Sequence, residues 1–343
     1  MSRLSIAELT NQTSESPLAV EFHAQLAGRK EKETKSGKPY LEITLADSTG
    51  SLTLKAWADH AQYGQLSELK EGAGLAVDGQ FTRNQWGIDG SPWSFSLLDP
   101  NAMQQLLAGD PATLARQNAD YADIEGFVAS LHDPRLKALC AHFLNVFGDR
   151  FRRTAAARRN HHARRGGLVE HVAQMMRSAN AIAGVYPALN RDLMLAGVLF
   201  HDCGKLWENT YPESGFTQGF QLSGEMLGHI PLGIELVNKL WRDLQEEPEH
   251  ESWKALSPSS ELVRLHLLHL VASHHGTHEF GSPTLPRTPE AYALHHIDNL
   301  DAKYEMMKDA YAKANELAPG ILERQFPLPS NLVVPLPSFV QSD

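Results

Sequence analysis

At 343 residues and a formal net charge of −10, the chain has room for one large or two ordinary domains, and its acidic balance argues against a dedicated double-stranded DNA binder. Cys140 and Cys203 are too few for a disulfide framework, and no run approaches the roughly 20 apolar residues of a membrane span. The polar N-terminus has no apolar segment of signal-peptide length, so the expectation is a cytoplasmic protein with no membrane partner.

Residues 1–18 read as a flexible N-terminus. From 19 to 99 the pattern is strand-like: AVEFHAQLAGRK alternates, KSGKP turns, and YLEITLAD alternates again. SLTLKAWAD then follows STG with Leu52, Leu54 and Ala56 on one face. A short helix near 61–69 precedes two further strands, GLAVDGQFTRN and SPWSFSLLD. Five short strands with a small helix before the fourth predict an OB-type barrel, a fold that binds single-stranded nucleic acid through stacking aromatics and basic side chains. Tyr40, Trp57, Trp86, Trp93 and Phe95 are the aromatics available, and Trp86 in the turn-like RNQWGIDG is the first choice of stacking platform.

Pro100 marks a boundary. Residues 100–160 predict several linking helices, one starting at Asp133-Pro134, and 161–315 are almost entirely helical. Residues 316–343 form a proline-rich tail, read as extended or disordered, with Phe326 and Val333–Val334 as candidate docking side chains. Arg150, Arg152, Arg153, Arg158, Arg159, Arg164 and Arg165 crowd into sixteen residues. They are either a phosphate-attracting patch or a solvated basic face, and the first reading makes Arg158 and Arg159 substrate contacts.

The helical part turns on LMLAGVLFHDCGK, residues 193–205. Its first half is apolar on nearly every side, which predicts a helix buried all round that delivers His201 and Asp202, with Gly204 free to end it in the left-handed conformation. His171 lies three residues after Leu168 and four before Met175, so it faces inward with the stripe 168, 172, 175, 179 and 182. His229 stands just before a helix, His274 and His275 at the end of an apolar one, and Asp298 on a later helix beside Asp301. This ordered pattern of imidazole and carboxylate without thiolate favours Mn, Fe, Co, Ni or Zn, and a carboxylate can bridge two such ions for phosphoryl transfer. His266 and His269 are rival ligands by spacing alone.

NHHARRGGLVEH, LAGVLFHDCGK, EMLGHI, SHHGTHEFGSP and HHIDNLDAK resemble the HD-domain superfamily of metal-dependent phosphohydrolases. Within it the chain is similar, from about 19 to 312, to the YhaM-type 3′→5′ exoribonucleases, which join an OB-fold domain to an HD domain. The resemblance implies a two-domain protein, a small all-β OB-type barrel followed by an all-α helical bundle. It implies two divalent ions, Mn²⁺ foremost, and single-stranded RNA or DNA as partner; a homo-oligomer is compatible with it. His171, His201, Asp202 and Asp298 would hold the first ion, and Asp202 would bridge to a second held by His229 and His274. His275 would stand behind these ligands or join them around a third ion. Asp202 and Lys205 would be catalytic, Lys205 reaching a non-bridging phosphate oxygen, and His162 and Arg165 would contact substrate. Arg164 replaces an aromatic of the family pattern, and Cys203 an apolar residue. Two rivals are a phosphohydrolase acting on a nucleotide or cyclic dinucleotide, and a nucleic-acid-binding protein with a vestigial site. The absence of a glycine-tyrosine-proline signature after the His pair weighs against cyclic dinucleotides, and the intact ligand set against the vestigial site.

Overall fold

A computed structural model describes residues 3–34, 36–84, 87–158 and 162–337. Ser5 and Glu8 form a reciprocal capping box on α1 (Ile6–Gln12), and Ile6 and Leu9 bury themselves on the barrel. This segment was expected to be loose. Two apolar side chains four positions or fewer apart are easily missed among polar neighbours, yet they suffice to dock one helical turn. Asp47 completes the seat by accepting the Ile6 amide at 2.8 Å.

Alternation then becomes geometry. On β1 (Leu18–Glu33) Val20, Phe22, Ala24 and Leu26 point inward, on β2 (Pro39–Ala46) Leu41, Ile43 and Leu45, and on β3 (Ser51–Trp57) Leu52, Leu54 and Ala56. The helix α2 (Tyr63–Glu68) leads to β4 (Gly74–Asn84) and β5 (Gly87–Leu97). The strands lie in the order β3-β2-β1-β4-β5, every neighbour antiparallel. The outer strands approach each other, with Trp93 Nε1 donating to the Lys55 carbonyl at 3.4 Å. A five-stranded sheet closing in this order, with a helix between its third and fourth strands, is an OB-type barrel.

The helices α3 (Pro100–Ala108), α4 (Pro111–Ala129) and α5 (Pro134–Phe151) start alike. An aspartate (Asp99, Asp110, Asp133) caps each first turn, and the proline after it needs no amide partner there. The bundle continues with α6 (Gly167–Val185), α7 (Arg191–Phe200), α8 (Leu222–Leu227), α9 (His229–Glu246), α10 (Ser260–Ser273) and α11 (Pro289–Lys313). As its composition predicts, α7 is central: every side chain from Asp192 to Phe200 is buried. None of the described helices is long and apolar enough to cross a membrane.

In the tail, β6 (Glu316–Ala318), β7 (Ile321–Leu322) and β8 (Leu332–Val333) form a small sheet. Leu328 and Leu332 do the docking, against Ala310 of α11. Phe326, expected to dock, is 85% exposed, and Val333 also faces solvent. The barrel and bundle meet at Gln25 of β1, whose buried amide donates to the Ser214 carbonyl at 2.9 Å and accepts the Phe216 amide at 3.2 Å.

Candidate metal centre

At its end, α7 hands the chain to a 3₁₀ turn, Cys203–Trp207, with His201 and Asp202 at the junction. Gly204 is not among the residues with positive φ, so it does not end the helix in the left-handed way expected. Its role is proximity. A Cβ there would sit 1.9 Å from the His229 carbonyl oxygen, so the missing side chain lets the start of α9 press against the 3₁₀ turn. That contact brings His229 to Asp202.

Six side chains from five segments converge here. His171 Nε2 lies 3.2 Å from His201 Nε2 and 3.4 Å from Asp298 Oδ1. Asp202 Oδ2 lies 3.3 Å from His201 Nε2 and 3.8 Å from His171 Nε2. The other oxygen of the same carboxylate, Oδ1, faces His229 Nε2 at 3.5 Å and His274 Nε2 at 3.7 Å. His275 stands with that second pair, its ring centroid 5.2 Å from that of His229 and 4.3 Å from that of His274.

The tautomers follow from the partners. Nδ1 of His201 meets the Val198 carbonyl at 2.7 Å, that of His274 the Val271 carbonyl at 2.8 Å, and that of His275 the Phe280 carbonyl at 2.6 Å. A carbonyl only accepts, so each Nδ1 carries the hydrogen and each Nε2 turns a lone pair inward. Carboxylates do the same elsewhere: Asp301 Oδ2 lies 2.7 Å from His171 Nδ1, and Glu208 Oε2 lies 3.1 Å from His229 Nδ1. Five imidazoles with Nδ1 spent on an acceptor match the way outer partners orient histidines toward a metal.

Among the ligand atoms of the centre, three that are buried lack any hydrogen-bond partner among the described residues: Asp202 Oδ1, His229 Nε2 and His274 Nε2. They are the three that face one another. Orphaned buried acceptors are costly, and an acceptor cluster with no donor is satisfied by a cation. The donor set therefore fits divalent ions on both oxygens of Asp202, borderline metals being suited to imidazole and carboxylate.

Electrostatics agree. Burial opposes ionisation of Asp202, but the charges of Lys205, His201 and His229 hold its pKa well below the usual carboxylate range. Burial likewise opposes the charged forms of Asp298 and Asp301, and hydrogen bonds from the histidines outweigh it, lowering both. His171 is the exception: burial is outweighed by the hydrogen bonds and charges of Asp298 and Asp301, which raise its pKa to about 9, so an ion bound there would have to displace its proton. His274 is pushed well below the usual range, by burial first and then by His201 and His275, which keeps it neutral as a ligand must be.

Other expected site residues stand elsewhere. Lys205 is held by an ion pair to Asp202 Oδ2 at 2.6 Å, and it also borders a cavity opening beside Asp298. His162 is buried, not at the mouth: its Nε2 lies 3.0 Å from Asp301 Oδ2 and its Nδ1 3.4 Å from Glu170. The double glycine after it explains this placement. Gly166 has φ +79°, and a Cβ on Gly167 would meet the His162 carbonyl at 2.0 Å, so the loop folds back onto the start of α6. Arg164, the departure from the family pattern, bonds Glu170 at 3.2 Å and Glu305 at 3.1 Å.

The arginine patch is likewise committed. Arg150 donates to the Leu206 carbonyl, Arg158 to the Glu208 and Gly219 carbonyls, and Arg165 to those of Pro212, Glu213 and Gly215. The irregular segment 208–221 has carbonyls without ladder partners, and these guanidinium groups satisfy them. Arg159 and Trp86 lie outside the described residues. Trp93 and Phe95 belong to the barrel core, whereas Trp57 is 44% exposed, with the Tyr40 ring 5.0 Å away and Lys55 over its face. His269 accepts the Arg287 amide through Nε2, and His266 borders a separate cavity with Asp133 and Glu290.

Asp301 and Glu208 were not singled out from the sequence. Asp301 carried one signal, its i,i+3 spacing from Asp298 on a helix; Glu208 in an irregular segment carried none. Asp301→Asn is expected to lower divalent-ion affinity about 10- to 100-fold while circular dichroism stays native. Metal titration of the chelator-treated protein measures this, and unchanged affinity would remove Asp301 from the centre.

An HD dipeptide at the end of a buried helix, with histidines and an aspartate converging from other helices, defines the class of metal-dependent phosphohydrolase domains. The sequence agrees: residues 168–303 match the family model of the HD domain. Among solved structures, the barrel is similar to a domain of replication protein A from Methanococcus maripaludis, at 21% identity and a TM-score of 0.22 over 29% of this chain and 97% of that one. A second structure, of the second OB-fold domain of replication protein A from Methanococcus maripaludis, matches at 22% identity and a TM-score of 0.22, over 29% and 96%. By its strand order the N-terminal part is an OB-type barrel, and residues 168–303 of the helical part match the HD domain model.

Proposed function

We propose that the protein is a metal-dependent 3′→5′ exonuclease that hydrolyses phosphodiester bonds of single-stranded RNA. The observation that carries this reading is the division of one carboxylate, Asp202, between two imidazole sets, with three mutually facing ligand atoms that have no other partner. His171, His201, Asp202 and Asp298 would hold one divalent ion, and Asp202, His229 and His274, with His275 beside them, the other. Bound there, such ions supply Lewis-acid stabilisation of phosphoryl oxygens and a nucleophile at neutral pH.

The chain supplies the rest. Asp301, Glu208 and the carbonyls of Val198 and Val271 fix the imidazoles in place, so the site needs no rearrangement as charge develops. Lys205 keeps a positive charge beside Asp202 and at the edge of the adjoining cavity, within reach of an entering phosphate. Hydrolysis places the water oxygen on phosphorus and a proton on the departing sugar oxygen. The exposed Trp57 face, with Tyr40 and Lys55, offers bases a stacking surface on β2–β3. A strand held at a fixed distance from the centre favours removal of nucleotides from an end.

A 5′-labelled single-stranded RNA incubated with the protein and Mn²⁺ is expected to give a ladder shortening from the 3′ end. An oligomer left intact with Mn, Fe, Co, Ni and Zn alike would overturn the proposal. Faster turnover of mononucleotides than of oligomers would shift the activity to the nucleotide phosphohydrolases.

A further inference from the structure

The proposed nuclease needs a path for a strand between barrel and metal centre, and Arg150, Arg158 and Arg165 of the arginine patch already hold carbonyls of 206–219. A different path exists along α11. Beside Asp298 and Lys205 opens a cavity of about 270 Å³, bordered by Phe280, Asn299, Lys303 and Met306. Asn299, Lys303 and Met306 follow His295 at steps of four, four and three, so one stripe of the helix forms its floor. Phe280 is 67% exposed, and neither Asn299 nor Lys303 has a hydrogen bond or ion pair among the described residues.

Met306 also borders a second cavity, which Gln325 and the exposed Phe326 complete. Gln325 in turn borders a third, whose other wall is Ser14, Arg83 and Asn84 of the barrel. The three share a lining residue at each junction, Met306 and then Gln325, between the metal centre and the end of β4. Phe326, which the sequence suggested as a docking side chain of the tail, stands midway with its ring in solvent.

We infer that these cavities form the track of a single-stranded oligonucleotide, with the terminal base against Phe280 and Met306, a later base on Phe326, and the strand passing onto the barrel near Arg83. This rests on the exonuclease reading above. Asp309 and Glu15 also border the track, so bases face inward and phosphates face solvent, with Lys205 and Lys303 the cations bordering the first cavity. Recognition is then by stacking, which tolerates any base. The length follows from the helix: fourteen residues from Asp298 to Ala312 rise about 21 Å. That spans about six nucleotides at the stacked spacing of roughly 3.4 Å, and fewer when extended. Digestion should therefore slow when fewer than about six nucleotides remain and the strand leaves the barrel.

Photo-cross-linking tests the track on the intact protein. Single-stranded oligouridylates of about twelve nucleotides, each with 4-thiouridine at one position, are bound in Ca²⁺ to limit turnover, irradiated, and the linked peptides identified. The expected map places the 3′-terminal position on peptides containing Phe280 or Met306, and positions four to six nucleotides upstream on peptides containing Phe326 or Arg83. Phe326→Ala, at an exposed position that folding does not need, should weaken oligonucleotide affinity about tenfold, the loss of one stacked base. Cross-links from upstream positions confined to residues 206–222, with affinity unchanged in Phe326→Ala, overturn the track and leave the nuclease standing. Failure of the metal-loaded protein to retain any oligonucleotide at low salt overturns both.

Discussion

Asp202→Asn is expected to abolish metal retention and to lower the proposed nuclease activity by on the order of 10³-fold or more, while the fold persists. The amide keeps the shape of the carboxylate but removes the charge that both imidazole sets face. One oxygen lies 3.3 Å from His201 and the other 3.5 Å from His229, so a single substitution empties both halves of the centre. It also leaves Lys205, now 2.6 Å from Asp202 Oδ2, as a buried cation without its partner, at a cost of about 3 kcal/mol or more in stability. Elemental analysis of freshly purified protein, a thermal melt and the RNA ladder measure the three effects. Native metal content in the variant would refute the shared role of Asp202.

Gly204→Ala should be nearly as damaging, by a different route. Its Cβ would lie 1.9 Å from the His229 carbonyl oxygen and 2.8 Å from the Gly233 nitrogen, both backbone atoms that no side-chain rotation can move. Relief requires α9 to back away from the 3₁₀ turn and to take His229 with it. We expect a loss of about 3 kcal/mol or more. At roughly 2–4 °C per kcal/mol this lowers the melting temperature by about 6 °C or more. Gly126→Ala is the control. It lies within α4 with nothing near its Cβ position, so the same change should be neutral or stabilise by up to about 1 kcal/mol. Equal melting temperatures for Gly204→Ala and the parent would show that the helix start is not pressed against the turn.

The contrast between these glycines shows what could be read from the chain and what could not. A buried α7 follows from its unbroken apolar run, and the inward aim of His171 follows from the stripe on α6, because both depend on local period alone. The barrel follows from alternation for the same reason. The close approach at Gly204 depends on α9, a distant segment, so local rules suggested a helix-ending turn instead. Asp301 is of the same kind: its value comes from the rotation of α11 against α6, which no spacing within α11 encodes. The hold of Arg150, Arg158 and Arg165 on an irregular segment was not legible, because their partners are backbone carbonyls, and carbonyls leave no mark in a sequence. The N-terminal helix was missed for want of length, since Ile6 and Leu9 alone carry its packing.

Gln25 has a practical consequence for anyone dividing the molecule. Its amide belongs to the barrel, yet it satisfies Ser214 and Phe216 in the stretch that Arg150, Arg158 and Arg165 tether, and that stretch begins at Glu208, the residue orienting His229. A fragment starting after Pro100 would strip a carbonyl and an amide of their partners a few residues from a group that aims an imidazole. Excising the helical half should therefore yield a metal-poor preparation, and adding the severed β half back in trans should restore metal binding only in part.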